Sequence, residues 1–313
     1  MKLLTEQEEA IISRKMTECA RDVDMCLFNC LTLYMDKDFM NDALSLYLTK
    51  DGAFGNGLHI DNYNISSSPY QIYEGFRYMD MAGLDKNCKH ELFPIIINKN
   101  FNVLYNRAEI IDNKWNPNIS STKDFAHNLI FENNEENMKL FGYGPTAALL
   151  GYTIKFCQPT KAYYKKALKM IDIMLNDFYK MDNLTKYEFI GFNSFLNSIK
   201  EEKIYLEDQI KIENKLTILA KKNVSKEFDN PNKILPLDAA LYLEDEDLKK
   251  LIDEQLDYIL SSRASHGLWE HKGDWGTNIY PEQDTAMMKW IGAESVNNYF
   301  YLKKFKRVGK EIL

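Results

Sequence analysis

The chain has 313 residues, of which 45% are hydrophobic and 13% aromatic, enough to build a sizeable core. Its formal net charge is −7 and its Lys and Arg residues are dispersed, which argues against the basic face that a nucleic-acid-binding protein requires. Because it contains no run of about twenty apolar residues, we predict no membrane span. The five cysteines lack the spacing of a disulfide scaffold, which favours a reducing, cytoplasmic location.

Helical periodicity dominates the first part of the chain. Apolar residues recur at helical spacing through residues 11–34 and predict one long helix or two in succession. A further helix over residues 42–48 is expected to stop at Gly52. Ser68 and Pro69 then begin another helix, with the proline at its first position, and Gly83 ends it.

Residues 84–142 are a less regular segment. Two apolar runs, residues 93–97 and 101–105, fit either short strands or a buried helix, because so short a run has no decisive period. The helices predicted on both sides of these runs favour a helix here.

Beyond residue 142 the pattern is helical to the end of the chain. Further helices are predicted at residues 146–152, 160–179, 184–199, 203–222, 237–242, 248–260 and 281–304. The sequence therefore predicts about a dozen helices and no convincing series of strands. This is far more helix than the share of about one third that is usual in globular proteins. Since no linker rich in Gly, Pro or Ser divides the chain, we expect a single all-α domain over residues 1–313.

Two segments far apart in the chain share one pattern. Each has a helix end, a glycine, an aromatic residue, more glycines, a polar loop and then a new amphipathic helix. The front copy is Asp51-Gly52-Ala53-Phe54-Gly55, and the rear copy is Ser265-His266-Gly267-Leu268-Trp269. Repeated helix–corner–helix units of this kind are typical of ring-shaped helical folds.

These corners resemble the repeat of the terpenoid cyclase and protein prenyltransferase α/α toroids, in which an outer helix ends in a Gln/Asp-Gly-aromatic-Gly turn before an inner helix. The rear copy has His in place of Asp, and the segment from Gly142 to Leu150 resembles an intermediate inner-helix start. The resemblance implies an α/α toroid, a barrel of paired inner and outer helices. That fold also carries glycosidases, polysaccharide lyases and non-catalytic proteins.

The chain departs from the catalytic motifs of this family. Class II terpenoid cyclases use an Asp-x-Asp-Asp motif, whereas the nearest run, residues 244–247, lacks the adjacent aspartate pair and fits the acidic first turn of a helix. Protein prenyltransferases bind zinc through separated Asp, Cys and His, but the last cysteine, Cys157, lies well before the C-terminal His and Asp residues. We therefore predict neither a metal nor another cofactor.

The densest group of titratable residues follows the rear corner: His266, Glu270, His271 and Asp274. Two imidazoles and two carboxylates this close could bind zinc or share acid–base work. The spacing His-x-x-x-Glu-His is one residue longer than that of an inverted zinc-protease motif, and glycines interrupt the segment. A further alternative is a structural turn in which His266 replaces the usual Asp.

Four carboxyl groups are candidate catalytic residues. Glu270 and Asp274 lie next to tryptophans in the sequence, and an aromatic neighbour that excludes water can raise the pKa of a carboxyl group toward that of a general acid. Asp238 lies among apolar residues at a helix start, where it either caps backbone amides or points into a cavity as a general acid. Glu74 lies on the helical face that follows the front corner.

Ring-bearing residues in the same two regions are candidate substrate-binding residues. Because loops at one end of a toroid converge on its centre, the front and rear groups could face each other across a cavity. The candidates are His59, Tyr70, Tyr73, Trp269, His271 and Trp275.

Three functions fit these features. The leading hypothesis is a terpenoid-cyclase-like enzyme, or a degenerate relative, that holds a small, largely apolar substrate in an aromatic cavity and uses a carboxylic acid as general acid. The alternatives are an intracellular carbohydrate-active toroid, a glycoside hydrolase or lyase with paired carboxylates, and a non-catalytic helical binding or scaffold module. The sequence leaves the substrate and the oligomeric state open.

Overall fold

The computed structural model describes residues 2–277 and 279–309. Apart from one small hairpin, the regular structure of these residues is helical, as the sequence predicts. The α-helices are α1 Glu6–Cys19, α2 Asp22–Leu31, α3 Met40–Ser45, α4 Pro69–Met81, α5 Leu92–Asn106, α6 Glu135–Phe141, α7 Gly144–Phe156, α8 Ala162–Phe178, α9 Lys186–Glu201, α10 Leu206–Asn223, α11 Pro236–Ala240, α12 Glu246–Ser261 and α13 Glu282–Lys304. The hairpin pairs Ile110–Ile111 (β1) with Lys114–Trp115 (β2), and the short 3₁₀ helices are Lys37–Phe39, Ser120–Asp124 and Leu129–Phe131.

The long N-terminal apolar stripe is two helices. A capping box begins α1, in which the Thr5 side chain accepts from the Glu8 amide and Glu8 accepts from the Thr5 amide. Ala20 and Arg21 are extended, so the chain changes direction between α1 and α2 while the apolar spacing continues across the break.

The ambiguous apolar runs are one regular helix, α5. Its buried side chains recur every three or four residues, which is the helical period: Phe93, Ile96, Ile97, Asn100, Phe101, Val103 and Leu104. The preference for helix over two strands was therefore right. The hairpin and two of the short 3₁₀ helices come between α5 and α6.

Glycines let two central helices approach closely. Helix α7 packs on α9, and a Cβ atom added at Gly191 would lie 2.0 Å from the carbonyl oxygen of Gly144. A Cβ at Gly151 would lie 3.0 Å from the Cα of Phe195. Only residues without side chains allow backbones this near each other.

The helices pack in series, and the two ends of the described chain meet. Helix α4 packs on α7, α7 on α9, α9 on α11, α11 on α12 and α12 on α13. Helix α13 also packs on α1 and α2, and Leu4 forms a parallel bridge with Val308. None of the helices in the described ranges combines the length and the apolar character needed to cross a bilayer.

Candidate functional site

The front and rear corners are the same turn. In the front corner the Thr49 amide donates to the Ala53 carbonyl (2.9 Å), the Gly52 amide donates to the Thr49 carbonyl (2.9 Å), and the Ala53 amide donates to Asp51 Oδ1 (3.2 Å). Gly52 has φ of +80°, a conformation that favours glycine.

The rear corner repeats each of these contacts. The Ala264 amide donates to the Leu268 carbonyl (2.9 Å), the Gly267 amide donates to the Ala264 carbonyl (2.8 Å), and the Leu268 amide donates to His266 Nδ1 (3.2 Å). Gly267 has φ of +93°. His266 therefore performs the local role of Asp51, which is the structural alternative that the sequence raised for it.

The loops that follow the two corners meet at a buried aspartate. Asp61 is 5% exposed, and its Oδ1 accepts from the indole nitrogens of Trp275 (2.8 Å) and Trp290 (2.6 Å). The ring of Trp290 stacks on His271 at 4.2 Å between centroids and meets the His59 ring edge-on at 5.7 Å. Front and rear residues thus face each other, as the sequence suggested they could.

Two adjoining cavities open beside this junction. The inner cavity has a volume of about 270 Å³ and lies among α4, α9, α11 and α13. The outer cavity has a volume of about 350 Å³ and lies between the rear loop, α12 and α13. The two share the lining residues Lys186, Leu237, Asp238, His271, Glu294, Asn297 and Tyr301.

Most of the candidate site residues line one cavity or the other. His59, Tyr70, Tyr73, Glu74, Asp238 and His271 line the inner cavity, and Trp269, Glu270, Asp238 and His271 line the outer one. The side chain of Glu270 is 65% exposed and lies 3.5 Å from His266. Glu270 therefore belongs to the solvent-facing rim.

Asp274 and Trp275 are directed elsewhere. Asp274 Oδ1 accepts from the Gly276 amide at 2.8 Å, so this carboxylate closes its own turn. Trp275 is 1% exposed and packs with Ile60, Ala286 and Ala293 in a separate small core. Neither Asp274 nor Trp275 is among the described residues that line the two cavities, because the rear loop folds their side chains back on the protein.

Glu74 is an ionised carboxylate locked in an ion pair. Arg77 donates to it twice, from Nε to Oε2 at 3.0 Å and from Nη2 to Oε1 at 2.7 Å. Burial opposes ionisation, but the charge and the hydrogen bonds of Arg77 outweigh burial and lower the pKa of Glu74. The helical spacing i, i+3 brings the two side chains together.

The pKa of Asp238 is shifted in the opposite direction from that of Glu74. Burial raises the pKa of Asp238, and the nearby Glu294 raises it further, while Lys186 and the Leu235 amide oppose the rise. Its Oδ2 lies 3.3 Å from Lys186 Nζ and accepts from the Leu235 amide at 3.1 Å. Asp238 is thus both an N-terminal cap of α11 and a cavity-facing acid, so the two alternatives from the sequence are compatible.

His59 is held in its neutral form. Burial lowers the pKa of His59, and the charges of Glu74 and Asp61 offset this only in part. Because the Asp61 amide donates to Nδ1 at 3.2 Å, the proton of the neutral ring lies on Nε2.

Tyrosines supply hydroxyl groups to the cavity wall. Burial raises the pKa of Tyr70 and Tyr73, and it raises the pKa of Tyr301 to about 12. These side chains therefore keep their protons at neutral pH and can both donate and accept hydrogen bonds.

Several residues that line the inner cavity were not among the candidates predicted from the sequence. Helix α13 presents Trp290, Glu294, Asn297 and Tyr301 to the inner cavity, at spacings of four, three and four residues. These four positions form one face of a helix. A search along that face would have found Glu294, whereas Arg77 could have been found at i+3 from Glu74.

Comparisons with known proteins found no match to the chain among protein-family models, curated proteins or solved structures. Among the described residues, no three His, Cys, Asp or Glu side chains converge as metal ligands would. Function has to be inferred from the side chains of the two cavities.

Proposed function

We propose that this protein is an enzyme that cleaves a glycosidic bond in a small polyhydroxylated substrate, with Asp238 as the general acid. One observation carries the proposal. Asp238 and Glu74 line the same inner cavity, and their surroundings shift their pKa values in opposite directions, Asp238 upward and Glu74 downward. Two carboxyl groups separated in this way can divide the roles of acid and base.

The fold that we propose is an α/α toroid. Its support is the equivalence of the two corners, the serial packing of the helices and the meeting of the two chain ends. In such a barrel the inner helices would surround the inner cavity, and alternate helices would form the outer layer.

The polar character of the inner cavity favours a hydroxylated ligand over an apolar one. Its wall combines amides, charged groups and tyrosine hydroxyls with the ring of Trp290. Hydroxyl groups of a sugar would find both donors and acceptors there, while the apolar face of a sugar ring could stack on an aromatic side chain. Burying these polar groups against a hydrocarbon would leave them without partners.

The chemistry follows from the two carboxyl groups. Asp238, whose pKa is raised by burial, would in its acid form donate its proton to the leaving oxygen of the glycosidic bond. Glu74, kept ionised by Arg77, would stabilise the positive charge that develops on the sugar ring. A water molecule would then add to the anomeric carbon and give up a proton to Glu74, so the bond to the leaving oxygen is replaced by a bond to the oxygen of water. His59 and the tyrosines would orient the substrate by hydrogen bonds.

Substitution of Asp238 tests this proposal. Asp238→Asn keeps an oxygen that can accept from the Leu235 amide but removes the acid, so we expect turnover of aryl glycosides or oligosaccharides to fall by roughly 100-fold or more. Asp182→Asn, at an exposed aspartate, is the matched control. Circular dichroism verifies folding. Unchanged turnover in a folded Asp238→Asn protein would exclude Asp238 as the acid.

The pH dependence of the rate provides a separate test. The acid form of Asp238 is required, and its pKa is raised, so the rate should fall as pH increases through that pKa. The ionised form of Glu74 is required, and its pKa is lowered, so the rate should hold until the pH falls below the usual range of a glutamate. We expect an acidic optimum, measured as kcat/KM against pH. A rate that increases steadily toward alkaline pH would contradict this assignment.

A terpenoid-cyclase-like reaction is the second candidate. The observation in its favour is the number of rings around one acid: Tyr70, Tyr73, Tyr242, Trp290 and Tyr301 line the inner cavity with Asp238. Aromatic faces stabilise cationic intermediates, which such a cyclase forms. Incubation with acyclic polyenes separates the candidates, since conversion of a polyene without turnover of any glycoside would favour the cyclase. Tight binding without turnover of either class would favour a binding module.

A further inference from the structure

The charged groups of the inner cavity differ in how fully they are paired. Arg77 donates twice to Glu74, and its Nη1 also donates to Asn297 Oδ1 at 3.1 Å. Lys186 Nζ lies 3.3 Å from Asp238 Oδ2 and donates to the Pro231 carbonyl at 3.0 Å. Both cations are thus engaged by protein acceptors, so an anionic ligand would have to compete for them.

Of the three described carboxyl groups that line the inner cavity, Glu74, Asp238 and Glu294, the last has the weakest protein partners. It lines both cavities, and its Oε2 lies 3.7 Å from His271 Nδ1, beyond hydrogen-bond distance. Its Oε1 accepts a long hydrogen bond from Asn298 Nδ2, at 3.4 Å. Neither Lys nor Arg pairs with it among the described residues. A carboxylate in this position can bind a ligand's positive charge.

Two aromatic side chains of α13 line the inner cavity together with Glu294. Trp290 and Tyr301 lie on the same face of α13 as Glu294, and all three line the inner cavity. Burial is the main cause of the raised pKa of Tyr301, and the charges of Asp238 and Glu294 raise it further. Ring faces attract cations and add to the effect of a carboxylate.

A buried amide also belongs to the wall of this cavity. Asn193 lines the inner cavity and is 1% exposed. Its Nδ2 donates to the carbonyls of Phe189 (2.9 Å) and Ala239 (2.7 Å), which fixes the orientation of the amide. Its Oδ1 accepts no hydrogen bond from the described residues. This oxygen exposes less than 1 Å² of surface, so a ligand in the cavity does not reach it, and Asn193 serves as part of the cavity wall.

We infer that the inner cavity recognises a hydroxylated amine, with Glu294 binding the ammonium group beside Trp290 and Tyr301. An amino sugar with a free amine belongs to this class. The inference rests on the proposed function in taking the inner cavity as the substrate site. It adds a residue, Glu294, that selects the substrate by charge without a part in bond cleavage.

Binding of three monosaccharides to the full chain tests this inference, since a monosaccharide has no glycosidic bond to cleave. By isothermal titration calorimetry, D-glucosamine should bind roughly tenfold more tightly than N-acetyl-D-glucosamine, the ratio expected for one charge-assisted hydrogen bond. D-glucuronate should bind most weakly. Equal affinities, tightest binding of glucuronate, or no saturable binding of any probe would each overturn the inference.

Two variants assign the effect to its residue. Glu294→Gln should bring the ratio of the amine and acetamide affinities close to one, whereas Glu282→Gln, at an exposed position on the same helix, should preserve it. If Glu294→Gln does not fold, the ranking of the three monosaccharides by affinity for the unmodified chain decides whether the cavity prefers an amine. A preserved preference in folded Glu294→Gln would overturn the role of Glu294.

The two proposals fail in different ways. If the three monosaccharides bind with the expected ranking of affinities but no glycoside is cleaved, the glycosidase proposal is refuted and the amine site is retained. A protein that cleaves neutral glycosides and shows no preference for the amine would retain the glycosidase proposal and refute the amine site.

Discussion

At the residue scale, the candidate site depends on pairs of side chains rather than on single residues. Glu74 is buried and Asp238 is partly buried, yet Arg77 lowers the pKa of the first and burial raises that of the second. The sequence predicted both as candidate acids because each lies among apolar residues in a predicted helix. It could not tell which would be ionised, since that depends on the charge that tertiary packing places beside each one.

Asp61 is the residue whose loss should most disturb the junction of the two loops. Asp61→Ala would leave the indole N–H groups of Trp275 and Trp290 without their acceptor. We expect the free energy of unfolding to fall by about 3 kcal/mol, since each unsatisfied buried donor costs about 1–3 kcal/mol. Urea denaturation measures this. Asp124→Ala, at an exposed position, should change stability little, and an equal loss in both variants would contradict the role of Asp61.

At the element scale, local signals predicted the helices well. Ser68 does cap α4, with its hydroxyl accepting from the Gln71 amide, and Pro69 does begin the helix. The two corners could also be matched in advance, because glycine at positive φ and a following aromatic residue are local features. What the sequence could not predict is that the rear loop directs Asp274 and Trp275 away from the cavities.

The rear corner predicts the effect of adding one methyl group. Gly267→Ala would combine a positive φ with a Cβ atom 2.8 Å from Ile11 Cγ2, whereas at Gly83 the φ is also positive but nothing lies within 4 Å. We expect Gly267→Ala to reduce the free energy of unfolding by about 2 kcal/mol and Gly83→Ala by about 1 kcal/mol. Thermal or chemical unfolding measures both. A larger fall in the free energy of unfolding for Gly83→Ala than for Gly267→Ala would show that the contact of residue 267 with α1 does not determine the cost.

At the scale of the whole molecule, the joining of the two ends is decided by contacts between residues at opposite ends of the sequence. Arg307 is 1% exposed and donates to Asp253 Oδ1 (2.8 Å), Asp257 Oδ1 (2.8 Å) and the Lys2 carbonyl (2.9 Å). In the sequence, Arg307 is one of several basic residues at the end of the last predicted helix, together with Lys303, Lys304 and Lys306. Its burial could not be predicted, because the carboxylates that bind it lie on α12.

Substitution of Arg307 tests how much this junction contributes. Arg307→Met keeps the apolar stem and removes the charge, so we expect a loss of about 2 kcal/mol in the free energy of unfolding. This is less than the loss for a fully buried pair, because Asp253 and Asp257 remain partly exposed. Lys306→Met, at an exposed neighbour, is the control. Equal stability of the two variants would show that the ion pairs do not hold the ends together.

The sequence by itself determined the all-helical class, the positions of most helices and the equivalence of the two corners. These properties follow from apolar periodicity, helix caps and glycine conformation, each of which acts within a few residues. Only the tertiary structure decided that Arg77, Asn193 and Glu294 share a cavity with Asp238, and that Asp274 and Trp275 do not. The physical reason is that burial and ion pairing depend on helices that are distant in the chain and adjacent in the fold.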